Sequence, residues 1–337
     1  MNFCHKVFRW LPLLVLAVCI GCGSEDKPDV KTDILKKSPF KSITDSIARF
    51  PDMPGMYLDR AVRLSQHNQL ELATADFRKA WQLSQDENVA LEYVSNLLMV
   101  NKVEEAMSVL KEGAQKFPEN TEFNRRLGEI YAETDNTQAA LKQFDDIIAK
   151  EPGNFEAWYD KGHLLAKLKD TNGAITALEQ SFALQPVSYT GIALANLHIG
   201  RKDKRALAIC NYLIARDSAE IQTDAVFTKG VFYAETGDRK KALEQFEECI
   251  RRDWKLTDAY IEKGIIFYQQ QQLDTALSTF NLSVTVSNTN PDGYFWIGRC
   301  YEAMNNNEKA IENYQRALSL DRTFMEAAER IKRLRNS

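Results

Sequence analysis

One alanine recurs along this chain at nearly constant intervals. Ala73, Ala106, Ala140, Ala174, Ala206, Ala242, Ala276 and Ala310 are separated by 33, 34, 34, 32, 36, 34 and 34 residues. A self-similar period of about 34 residues has the length of a helical hairpin that stacks on copies of itself. The clearest copy is 155–186, FEAWYDKGHLLAKLKDTNGAITALEQSFALQP. Trp158, Gly162 and Leu165 lie on one face of a first helix, and Ala174, Leu178 and Ser181 on one face of a second. Small residues at 162 and 174 let the paired helices approach, and Trp158 and Leu178 fill the remaining volume. Pro186 closes the unit, because proline cannot continue a helix.

Eight such stretches begin near Pro54, Glu87, Thr121, Phe155, Val187, Thr223, Thr257 and Pro291. The place of Gly162 is taken in the others by Ala61, Val94, Gly128, Leu194, Gly230, Gly264 and Gly298. The place of Leu178 is taken by Phe77, Leu110, Phe144, Cys210, Phe246, Phe280 and Tyr314. This pattern resembles the tetratricopeptide repeat, with its Trp, Leu, Gly and Tyr in helix A, its Ala, Phe and Ala in helix B, and a closing Pro. The resemblance implies an all-α protein, a right-handed α-solenoid of eight helix-turn-helix repeats over residues 54–324. A lone amphipathic segment, 40–53, is expected to cap its start through Phe40, Ile43, Ile47 and Phe50, and 325–337 to cap its end. The spacing of 32 and then 36 around the fifth copy marks that copy as irregular.

By length alone 337 residues would suggest two ordinary domains, but a solenoid has no single compact core. Charged residues at 27% and apolar ones at 44% are ordinary for a folded soluble protein. A net charge of -4 gives no support for a nucleic-acid partner.

The start of the chain reads differently. Lys6 and Arg9 precede an apolar run from Trp10 to Ile20, too short for a comfortable span and laid out like a signal peptide. The run ends in Cys19-Ile20-Gly21-Cys22, which resembles a bacterial lipoprotein signal. The resemblance implies removal of 1–21 and acylation of Cys22, and hence a cell-envelope protein held by its lipid. Gly23 follows Cys22 where an inner-membrane retention signal would carry Asp, which favours the outer membrane. A plain secretory signal or an uncleaved anchor is the alternative. The acidic stretch Gly23–Asp29 is similar to the surface-export tags of Bacteroidetes lipoproteins, and reads equally well as a solvated linker. Residues 22–39 are polar enough to be a flexible tether.

Tetratricopeptide arrays grip a peptide or a partner's helix along the groove lined by their first helices. The resemblance places Tyr159 and His163, Phe227 and Val231, Ile261, Ile265 and Tyr268, and Phe295, Trp296 and Arg299 on that groove. The line is apolar and aromatic, as binding surfaces tend to be. Packing between neighbouring copies is the alternative for any single member. The Asn, Lys and Arg clamp of chaperone-binding arrays is missing, since Arg125 and Arg126 lack Asn partners. His67, His163 and His198 stand in separate copies at no ligand spacing, and no phosphate loop or nucleophile motif occurs, so no catalytic, metal or cofactor site is expected. Cys210, Cys249 and Cys300 read as small buried hydrophobes. The expected function is a non-enzymatic scaffold that binds a protein partner in the envelope and is tied to the membrane by its N-terminal lipid. A surface receptor for a glycan or other small ligand is the second reading, and self-association is compatible with both.

Overall fold

The computed structural model describes residues 34–336. The expected signal segment, Cys22 and the expected tether up to residue 33 lie outside the described residues. A 3-10 turn at Ile34–Lys36 is followed by eighteen α-helices, and no strand occurs among the described residues. Helix α1 (Lys41–Arg49) comes first. Eight pairs follow: α2 (Pro54–Gln66) with α3 (Leu70–Ser84), α4 (Glu87–Met99) with α5 (Val103–Lys116), α6 (Glu122–Glu133) with α7 (Thr137–Lys150), and α8 (Phe155–Lys167) with α9 (Thr171–Leu184). Then come α10 (Ser188–Gly200) with α11 (Arg205–Arg216), α12 (Asp224–Glu235) with α13 (Arg239–Arg252), α14 (Thr257–Gln269) with α15 (Leu273–Val286), and α16 (Pro291–Ala303) with α17 (Asn307–Leu320). Helix α18 (Met325–Arg335) ends the chain. Two compact units are distinguished, Met1–Val109 and Leu110–Ser337, with the division inside α5.

The period has a packing cause. All eight alanines are 0% exposed. Beside them, in five of the eight copies, the first helix carries a glycine that faces a large side chain of the second. A Cβ on Gly128 would fall 2.7 Å from the Phe144 ring, on Gly162 2.7 Å from Leu178, on Gly230 2.7 Å from Phe246, and on Gly298 2.6 Å from Tyr314. Those distances are far inside van der Waals contact, so the glycine is what lets the ring lie against the backbone.

Each first helix ends the same way. Asn68, Asn101, Asp135, Lys169, Lys202, Gly237, Gln271 and Asn305 all have left-handed backbone. The next N–H bonds back over the helix end, as Asp170 N–H does to the Leu165 carbonyl at 2.9 Å. Only Gly237 adopts this conformation freely. Asn68, Asn101, Asp135 and Asn305 are of types that tolerate it, and the turns at Lys169, Lys202 and Gln271 are held by the helices they join.

That turn corrects the reading of the fifth copy. The left-handed residue keeps a fixed interval from the small core position, Gly128 to Asp135, Gly162 to Lys169, Gly230 to Gly237. The same interval back from Lys202 ends at Ala195, not Leu194. Ala195, Ala206 and Cys210 share one buried cluster. A residue is missing from the turn, where the Ala206 N–H bonds to the Asp203 carbonyl at 3.1 Å while its counterpart Ala174 reaches four residues back, to Asp170, at 2.9 Å. The compensating insertion lies in the loop 217–223. That loop is pinned by Arg252 to Asp217 at 3.2 Å and by Arg251 to Glu220 at 2.8 Å.

At the start of the chain Phe40 and Ile47 are buried, but Phe50 remains 54% exposed. Phe50 sits past the end of α1 with non-helical backbone, so it leaves the helical face on which its spacing placed it. In the first unit the Arg60 guanidinium grips Asp76 with two bonds, at 2.6 and 2.7 Å, and donates a third to Thr44 of α1 at 3.1 Å. At the other end Ala327 and Ile331 of α18 are buried against Phe295 and Tyr314. Cys210, Cys249 and Cys300 are buried free thiols, each pushed up to about 12 by burial, which makes them unreactive.

Candidate binding face of the first helices

Within the second unit the first helices of successive copies touch one another, α6 with α8, α10 with α12, α12 with α14, and α14 with α16. No two successive second helices pack as closely. The side with the shorter spacing is the inner side of a curved stack, so the first helices line the inner face of this unit.

The ten residues expected on that face do not share one environment. Tyr159 is half-buried and His163 exposed, with their rings 6.0 Å apart and stacked. Phe227 and Val231 are half-buried against the core of the sixth copy, Phe227 leaning on Phe246 at 5.5 Å. Ile265 and Tyr268 are half-buried against the seventh. Trp296 stacks on Phe280 at 5.7 Å, and the Arg299 guanidinium lies 5.4 Å from the rings of both Trp296 and Tyr268. Two of the ten belong to the core instead. Ile261 is 7% exposed because α16 brings Ile297 and Cys300 onto it. Phe295 is 4% exposed because Phe324 stacks on it at 4.8 Å and Tyr314 leans in at 5.5 Å.

The most accessible aromatic group therefore lies in the fourth and fifth copies, and it includes a residue that the sequence did not single out. Tyr189 meets Tyr159 edge-on at 4.7 Å and is 47% exposed. Tyr189 is the second residue of α10 and takes the place that Glu156 has in the fourth copy, a place outside the groove positions of the repeat pattern.

Beside this group stands a carboxylate in an unusual setting. The strong hydrogen bonds of Arg125 go elsewhere, from Nε to Glu122 at 2.7 Å and from Nη1 to Glu129 at 2.6 Å. Asp160 Oδ2 meets the Arg125 charge only at 3.7 Å, beyond hydrogen-bond reach, and is shielded from water with no hydrogen-bond partner. Burial, and then the charge of Glu129, raise the Asp160 carboxyl to about 7. Three copies further on Glu262 takes the same place, just before the core glycine. Burial, and then the charges of Asp258 and Glu235, raise it to about 7.

The folded chain holds a proton on Asp160 that the unfolded chain has already lost, so this residue favours folding below about pH 4 and that contribution fades as pH rises through about 7. Asp160→Asn is expected to remove this slope and to stabilise the protein at pH 8 by about 1–2 kcal/mol. Urea unfolding of both proteins at pH 5 and pH 8 reads the difference. Equal slopes would show that Asp160 is ionised without penalty.

Among the described residues no group of three His, Cys, Asp or Glu side chains is placed to hold a metal ion. No helix among them is long and apolar enough to cross a membrane.

Tetratricopeptide-repeat family models match residues 96–155, 155–188, 223–253 and 291–324. The human mitochondrial import receptor subunit TOM70 is 22% identical over 235 residues, covering 65% of this chain and 37% of that protein. Tetratricopeptide repeat protein 1 of Schizosaccharomyces pombe is 22% identical over 236 residues, covering 62% of this chain and 22% of that protein. The chain thus spans well under half the length of these relatives. A crystal structure of a tetratricopeptide repeat protein from Parabacteroides merdae superposes with a TM-score of 0.50 at 13% identity, covering 83% of this chain and 98% of that one. The chain carries tetratricopeptide repeats and its fold is an all-α tetratricopeptide solenoid.

Proposed function

We propose that this protein is a non-enzymatic interaction scaffold of a bacterial cell envelope. It is anchored through a lipid on Cys22 and holds a protein partner along the inner face of its first helices. The observation that carries the reading is the open aromatic group Tyr159, His163 and Tyr189, set among half-buried carboxylates on a face that the packing of the array leaves uncovered. Tetratricopeptide proteins mediate protein–protein interaction, and one matched relative is by name an import receptor subunit. The signal segment supports the anchor, since two or three acyl chains at about 0.8 kcal/mol per buried CH₂ hold a protein stably on a membrane. Tethering then raises the local concentration of whatever the array binds. The small-ligand reading needed open aromatic platforms in the later copies. Trp296 is instead packed between Phe280, Phe295 and Tyr268, so a protein partner is preferred.

Two measurements test the two halves. Cells fed an alkyne-bearing palmitate should label the full chain but not Cys22→Ala. A label retained by Cys22→Ala would overturn the anchor. A partner co-purified in stoichiometric amount should be lost from Tyr159→Ala/Tyr189→Ala, whose side chains are open enough for the fold to survive. Retention by that double variant would place recognition elsewhere.

A further inference from the structure

The charges of the first helices are sorted by direction. Asp160-Lys161 and Glu262-Lys263 are neutral pairs in sequence, and each stands immediately before the core glycine of its copy. Neighbours on a helix point about 100° apart. Lys161 turns outward to Asp145 of α7 at 2.5 Å, and Lys263 to Glu247 of α13 at 3.0 Å. The two lysines are thereby spent on second helices of the preceding copies. The two carboxylates are left behind without them. Asp160 keeps one oxygen with neither donor nor water, and the charged groups acting on Glu262 are the carboxylates of Asp258 and Glu235. Asp160 is flanked by the rings of Tyr159 and Tyr189, whose own surroundings include Glu156 and Asp160.

We propose that the inner face of the fourth to seventh copies receives a lysine- or arginine-rich segment of a partner protein, with cations reaching Asp160 and Glu262 and aliphatic stems lying over Tyr159 and Tyr189. This rests on reading the inner face as a protein-binding surface. An incoming ammonium or guanidinium supplies the hydrogen bond that Asp160 Oδ2 lacks and a counter-charge to Glu262, Asp258 and Glu235, and a charge-assisted bond in a half-buried site is the strong kind. Aromatic faces favour the same cations. The same carboxylates repel a nucleic acid or an anionic lipid surface. The repeat of the arrangement three copies apart favours an extended segment with at least two basic residues over a single small cation.

The probe is a fluorescent alternating lysine–alanine peptide, titrated against the full chain, with the alternating glutamate–alanine peptide as its mirror in charge. Asp160→Asn/Glu262→Gln removes two inner charges. Glu308→Gln/Glu312→Gln removes two exposed charges from α17, on the outer side, and leaves the same net charge. The lysine peptide is expected to bind and the glutamate peptide to stay free. The inner double variant should weaken binding at least about tenfold, and the outer one less than about twofold. Thermal melts of the inner variant should show no loss of Tm, since each substitution removes a charge that burial penalises. Equal weakening by both variants would reduce the effect to net charge and overturn the proposal, as would absence of lysine-peptide binding. If the lysine peptide fails while a partner is still lost from Tyr159→Ala/Tyr189→Ala, the scaffold reading stands and the basic-segment inference falls. If both fail, both fall.

Discussion

Gly230→Val is expected to destabilise the second unit by about 3 kcal/mol, although valine is a common helical residue. A Cβ at this position falls 2.7 Å from the Phe246 ring, and Phe246 is 0% exposed, so the ring has no free direction in which to move. The alternative is for α12 and α13 to separate, which breaks the contact of Val226 and Ile266 with the same cluster. Phe246→Ala alone should cost about 4 kcal/mol through the cavity it leaves. The double variant should cost less than the sum by about 1 kcal/mol or more, because the valine fills part of the cavity. The fifth copy already shows a related solution, Ala195 against Cys210 in one buried cluster. Unfolding of these variants in urea, followed by far-UV circular dichroism, gives the cycle. In a one-dimensional array the damage should be confined to copies near the sixth, and the transition should broaden as distant copies survive it. Strict additivity would show that the glycine and the ring do not compete for one volume.

Asp76→Ala is expected to be the most damaging single change in the first unit, at about 4 kcal/mol. Arg60 is 9% exposed and Asp76 6%, and the two are joined by a two-pronged grip. Removing the carboxylate leaves a guanidinium buried with only the Thr44 hydroxyl to receive it. The pair as a whole is worth much less, because bringing two charges out of water offsets most of their attraction. Arg60→Met/Asp76→Leu should therefore lie within about 1 kcal/mol of the wild type. Chemical denaturation of the three proteins separates the cases. If the double apolar variant were as unstable as Asp76→Ala, the ion pair itself, and not the orphaned charge, would hold α1 to α2 and α3.

The period was legible because it is written eight times in the same core slot, and a core slot tolerates few residues. The same slot misled at the fifth copy. Leu194 and Ala195 are both acceptable core residues, and a residue lost from a turn leaves both helical patterns intact. Only the left-handed backbone at Lys202 shows the true register, and conformation at a lysine is not readable from its type. The division of the ten candidate residues was hidden for another reason. Phe227, Ile261 and Phe295 occupy one position of three copies, but their burial depends on what the following element brings against them. Phe324 of the chain's end covers Phe295, and Ile297 and Cys300 cover Ile261. Nothing in the sequence sets Asp160 and Glu262 apart, since each stands beside a lysine, and only the structure shows those lysines paired with Asp145 and Glu247 instead.

The most direct test of the scaffold account is photo-crosslinking in intact cells from defined positions. Benzoylphenylalanine would replace Tyr159 or Tyr189 on the inner face, and Glu244 or Glu312 on exposed second-helix surface. Discrete adducts of one mass from 159 and 189, absent from 244 and 312, are the expected result. Adducts from the outer positions alone, or the same adducts from all four, would contradict recognition by the inner face.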